Sequence, residues 1–224
     1  MIAARQIFLG RGAGGGFVTP TSYIEFNTTG VLRQSRYFNS GVVPTAFTKV
    51  EIMLVRNLNP AKDVGFQCGC RTGWVSGAMQ LNVSPQNRRF WFAWNNETND
   101  PYSTDYESSP EFAIATFSPR GQVSVVGANP DVVYSYDFGQ DFSSSRRNSF
   151  FIGDSNENGN AKGRTDDQGS GRIAWVKFYE SNMLTHNFVA AQFDGTPVFY
   201  DEVSGATLRS MGSAAEDTIR YVEL

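Results

Sequence analysis

Adjacent acids, Asp201 and Glu202, close the stretch GTPVFYDEVSG at residues 195–205. Paired carboxylates hydrolyse glycosides when they flank one bond about 5 to 10 Å apart. Neighbouring side chains on an extended strand point to opposite faces, so these two cannot serve one substrate from one strand. The expected reading is a hairpin in which Asp201 caps a turn toward Ser204 and Gly205. A nucleophilic triad would need His186, the single histidine of the chain. It lies in THNFV, and no GxSxG elbow accompanies it, so a surface or half-buried histidine is expected. Other acids that would have to converge in a cleft for hydrolysis are Glu51, Glu97, Asp105 and Glu111.

Two further constellations bear on binding. The run Asp154-Ser-Asn156-Glu-Asn158-Gly159 has alternate oxygen ligands and a glycine, as in the first half of a calcium loop. Its twelfth position is Thr165 rather than a bidentate Glu. Calcium on Asp154, Asn156 and Asn158 is thus the one cofactor left open, and no other is expected. Sugar recognition needs aromatic faces beside amides and acids. WFAWNNETNDPYSTDYES brings Trp91, Trp94, Asn95, Asn96, Asp100, Tyr102, Asp105 and Tyr106 together, and Trp74 sits in a Gly-flanked turn. The competing reading makes Trp91 a core residue and Tyr102 and Tyr106 loop decoration. Cys68 and Cys70 share one face of a strand in GFQCGCR. That spacing strains a mutual disulfide, and two cysteines with one histidine make a poor zinc site. Two reduced, half-buried thiols are expected, as in a reducing cytoplasm.

The elements that must carry these residues are strands. Aromatics form 14% of the chain, which favours pleated surfaces. Alternating runs recur between turn signals: 22–26, 35–43, 47–57, 64–71, 78–83, 88–95, 111–119, 121–128, 131–138, 149–155, 172–181, 185–192 and 196–203. Two polar loops interrupt them, 95–110 and 156–171. In the tail, Ser213 and Glu216 form a possible capping box, while Thr, Ile, Tyr and Val in DTIRYVEL favour a last strand. Many short strands without a long helix predict an all-β antiparallel β-sandwich, a jelly roll. Residues 1–16 end in GRGAGGG and read as a glycine-rich arm, with Arg5, Phe8 and Arg11 as its anchoring side chains; residues 17–224 form the folded domain. The formal charge of −3, from 19 basic and 22 acidic residues, argues against nucleic acid or an anionic membrane as partner. The start of the chain lacks the apolar core of an export signal, and its longest apolar run, FWFAW, is far short of the ~20 residues of a membrane span.

The C-terminal third, SFFIGDSNENGN, GRIAWVKFYESNMLTHNFVAAQ and DGTPVFYDEVSGATL, resembles the end of LamG-like domains of the concanavalin A-like superfamily, a type common in bacteriophage and gut-bacterial surface proteins. Gly171, Arg172, Ile173, Lys177, Phe178, Tyr179, Phe188, Gly195, Tyr200, Asp201, Val203 and Gly205 sit at matching positions over roughly residues 149–210. SYIEFNTTG and RYFNSGVV resemble the opening of the same family. His186 and Asn187 stand where that family has Arg and Asp, and residues 70–145 match little of it. The glucanases of the superfamily place their acids on one strand as ExDxxE, a run that this sequence lacks. The resemblance implies a non-enzymatic surface module of a phage virion or similar assembly, attached to capsid or tail. It would contact other virion subunits through the arm, form a homo-oligomer and take host or mucosal glycan as candidate ligand. Such a protein would be assembled in the bacterial cytoplasm and displayed on the virion surface. The alternative is a glycoside hydrolase or polysaccharide lyase of the same fold.

Overall fold

The computed structural model describes residues 18–28, 36–56, 67–73, 77–83, 90–99, 111–127, 132–161, 169–212 and 218–224. Their strands are β1 (Ser22–Thr28), β2 (Phe38–Asn39), β3 (Thr48–Val55), β4 (Gln67–Arg71), β5 (Ala78–Val83), β6 (Phe90–Asn95), β7 (Glu97–Asn99), β8 (Phe112–Ser118) and β9 (Gln122–Gly127). They continue with β10 (Val132–Asp137), β11 (Phe151–Ile152), β12 (Ser155–Glu157), β13 (Asn160–Ala161), β14 (Gly169–Glu180), β15 (Met183–Phe193), β16 (Thr196–Asp201), β17 (Thr207–Arg209) and β18 (Thr218–Glu223). Among the described residues there is no α-helix, and the chain is all-β.

Two sheets result. The larger runs β10-β9-β8-β3-β14-β15-β16-β17, with β1 beside the first half of β14 and β18 beyond β1. The smaller runs β13-β12-β4-β5-β6-β7, with β11 bridging β4 and β2. Every pairing is antiparallel except β12 on β4. Alternation places Ile24, Phe26, Val50, Ile52, Leu54, Val176, Phe178 and Phe188 of the larger sheet in one apolar cluster with Cys68, Cys70, Met79, Leu81, Phe90, Phe92 and Trp94 of the smaller. The two sheets therefore share one core, which the hydrophobic effect holds together. Tyr37 and Met211 exchange backbone hydrogen bonds and tie the end of the larger sheet to the β2 side of the smaller.

Tight turns set the registers. Ser181 and Asn182 join β14 to β15, and Asp194 and Gly195 join β15 to β16; all four have positive φ, the backbone that two-residue hairpins of the favoured hand require. The expected strand over 35–43 shrinks to β2. Ser40 Oγ accepts from Val42 N–H, Asn39 Oδ1 accepts from Gly41 N–H, and Gly41 has φ +73; these local bonds compete with the ladder. The expected strand over 149–155 shrinks to β11 because Gly153 turns the chain at φ +90. The closing segment forms a strand, β18, as its composition predicts. Ser213 and Glu216 lie outside the described residues.

Cys68 and Cys70 are free, share the inward face and are fully buried rather than half-buried. Gly69 between them has φ +144, and a Cβ there would fall 2.2 Å from the Met79 carbonyl oxygen of β5, so this crossing point admits no side chain. Burial pushes both thiols up to about 12. A thiol reagent at pH 8 is expected to leave both cysteines unmodified in the native protein and to modify both in denaturant; rapid native labelling would contradict their placement.

Candidate functional site

The residue types able to do chemistry converge where β15 and β16 meet. Phe188 pairs with Asp201 across these strands, so the Asp201 carboxylate faces inward beside Phe188, with its side chain 1% exposed. The chain reverses just after it: Gly205 N–H donates to the Asp201 carbonyl and Asp201 N–H to the Ala206 carbonyl. Four donors fill the carboxylate. Oδ2 accepts from Ser204 Oγ at 2.6 Å and from His186 Nδ1 at 2.8 Å. Oδ1 accepts from Asn187 N–H at 2.9 Å and from Val203 N–H at 3.1 Å. Burial pushes this carboxyl's pKa up, but the bonds from Ser204, Asn187, His186 and Val203 outweigh it and hold it below its ordinary value. The His186 ring lies parallel to Phe188 with centroids 5.3 Å apart.

This cluster is not a nucleophilic relay. In a triad the serine hydroxyl faces the imidazole and the acid orients the imidazole from behind. Here Ser204 and His186 converge on the same carboxylate oxygen, and the hydroxyl has no path to the ring. Glu202 projects to the other face, where its carboxylate accepts from Asn187 Nδ2. The sequence expectation of Asp201 as a turn cap agrees with this geometry, and its contact with His186 adds a tie across two strands.

Among the described residues, Glu25, Glu51 and Glu180 are engaged in the fold. Glu51 pairs with Lys49 Nζ at 2.7 Å and accepts from Tyr179 Oη at 2.9 Å; burial, then the Glu51 charge and this bond, push the Tyr179 phenol up. Glu51 stands opposite Thr116, five residues from Glu111, a separation of about 16 Å along β8. Asp105 and the Glu97 side chain lie outside the described residues. Glu25 pairs with Arg172 at 3.0 Å, and Glu180 accepts from Thr45 and Thr48 hydroxyls.

The candidate sugar residues separate. Trp94 is 0% exposed in the core, stacks with Phe117 and donates from its indole N–H to the Gln140 carbonyl at 2.8 Å. Its ring offers no face to a ligand, which corrects the sequence expectation. Asn95 is also buried: Nδ2 donates to the Asp141 carbonyl and Oδ1 accepts from Ser143 N–H, both at 2.7 Å, so it pins the following loop. Asn96 is exposed at the β6–β7 turn. Trp74, Asp100, Tyr102, Asp105 and Tyr106 lie outside the described residues, as do Arg5, Phe8 and Arg11. Trp91, three residues before Trp94 and so of opposite parity, faces away from the core beside Asn82. The sequence reading also missed a row on that outward face. Glu157 meets Arg71 at 3.1 Å, Arg71 reaches Gln80 Oε1, and Gln80 Nε2 donates to Asn82 at 2.9 Å. Polar residues at alternate positions of QCGCR and AMQLNV signal it. Arg71, Gln80 and Asn82 are buried.

The run Asp154–Gly159 lies in a hairpin. Asn158 and Gly159 have φ +57 and +89 and form the turn of the β12–β13 hairpin. Asn156 Oδ1 accepts from Gly159 N–H, its Nδ2 donates to Ser149, and Asn158 Nδ2 donates to the Thr72 carbonyl. Asp154 Oδ1 accepts from Ser155 N–H at 2.6 Å. These bonds close the hairpin. Among the described residues no three His, Cys, Asp or Glu side chains gather as metal ligands, and no helix is long and apolar enough to cross a membrane. No protein-family model matches the sequence, and no curated protein matches it significantly.

Proposed function

We propose that this chain is a non-catalytic module, a jelly-roll sandwich of the LamG-like kind, that serves as a structural and surface component of a phage virion or a similar assembly. Its glycine-rich segment, residues 1–16, holds neighbouring subunits, and its outward surface takes glycan. The observation that carries this reading is the state of Asp201. The acid in contact with the only histidine is saturated by four donors that anchor a turn, and Glu25, Glu51 and Glu180 are likewise bonded within the fold. Among the described residues these acids hold the fold together, which supports a role in presentation rather than catalysis. The core shared by two sheets supports the sandwich assignment.

Light scattering on the full chain and on a chain lacking residues 1–16 tests the assembly role. The full chain is expected to form a discrete oligomer and the shortened chain a monomer with the same unfolding midpoint. A full chain that stays monomeric at every concentration would overturn the role of the arm.

A further inference from the structure

The outward face of the larger sheet carries two parallel rows of side chains. Register places Trp175 of β14, Val189 of β15 and Tyr200 of β16 side by side. The next row holds Glu51 of β3, Lys177 of β14 and Asn187 of β15, with the Glu202 carboxylate on the Asn187 amide. A bulge at Ala174 turns Trp175 outward. All seven of these side chains are half-buried, so each reaches the surface. Lys177 Nζ lies 4.3 Å from the Trp175 ring centroid. Asn187 Oδ1, whose amide is oriented by the Glu202 bond, is a buried acceptor with no donor, a state that costs free energy until a donor arrives.

We propose that this face binds a neutral oligosaccharide, an inference that rests on the module reading above and names its ligand class and site. Pyranose C–H faces would lie on Trp175 and Tyr200, which stand two strands apart, about 10 Å, so each meets a different ring of the chain. Sugar hydroxyls both donate and accept, as Lys177, Asn187 and Glu202 require. Lys177 and Asn187 are cross-strand partners, so an ammonium displaced from the indole by the sugar would have the Asn187 Oδ1 acceptor on the neighbouring strand. Glu51, itself paired with Lys49, and Glu202 bracket Lys177 within the row and offset its charge, so the face has no net positive charge to draw acidic sugars.

Calorimetric titration of the full chain with cellopentaose, maltopentaose and mannopentaose tests this, with chromatography of the recovered sugars. At least one is expected to bind. Tyr200→Ala and Lys177→Met should weaken it tenfold or more with unchanged unfolding midpoints, while Phe193→Ala leaves it intact. Trp175 packs near Met53 and Val55, so Trp175→Ala is judged only if its melting curve remains cooperative. Absence of binding by all three sugars, or binding unchanged in Tyr200→Ala and Lys177→Met, overturns the site and leaves the assembly role standing. Binding lost only in Asn96→Ala moves the ligand to the β6–β7 turn and overturns the site likewise. Shortened sugars would instead overturn the non-catalytic reading.

Discussion

Asp201→Ala is expected to destabilise the protein by about 3–5 kcal/mol, because it removes a buried charged acceptor and leaves the donors of Ser204, His186, Asn187 and Val203 to be satisfied otherwise. The loss should appear as a lower denaturant midpoint with an unchanged slope. Glu202→Ala, one residue on, removes a single bond from a half-buried side chain and is expected to cost about 1 kcal/mol or less. The contrast matters because the two acids are neighbours in sequence and look equivalent there. Equal effects would mean that strand parity does not separate them.

Trp94→Ala should cost about 3–5 kcal/mol, the scale for emptying a buried aromatic site, with a further loss from the unpaired Gln140 carbonyl. The penalty is expected to be the same with or without sugar present. A variant of normal stability that had lost a ligand would show instead that this indole faces outward.

Much of the fold follows from patterns visible in the chain. Period-two alternation in FTKVEIMLVRN and EFAIATFSP reappears in β3 and β8, where Val50, Ile52, Leu54, Ala113, Ala115 and Phe117 face the core. Trp94 and Trp91 are separable in principle, since three residues along a strand reverse the face, whereas proximity in sequence alone groups them. The D-x-N-x-N-G run was ambiguous for a different reason. Asn-Gly supplies positive φ to a calcium loop and to a hairpin alike, and only the β12–β13 pairing distinguishes them. The Asp201–His186 tie depends on the register of β15 against β16, set by the Asp194-Gly195 turn, and side-chain types fifteen residues apart do not encode that register. The paired rows on the larger sheet were hidden similarly. Trp175, Asn187 and Tyr200 come from three strands, and the bulge at Ala174 shifts Trp175 out of simple alternation.

Stability against pH, compared between wild type and Asp201→Asn, tests most directly the claim that this acid anchors the fold. The folded carboxyl titrates below its unfolded value of about 3.9. Its contribution is therefore complete above that pH and is lost as pH falls through the folded pKa. The account predicts that wild type exceeds Asp201→Asn in unfolding free energy at pH 6 and that the two curves converge as pH drops below about 4. Parallel curves across that range, or equal stability at pH 6, would contradict it.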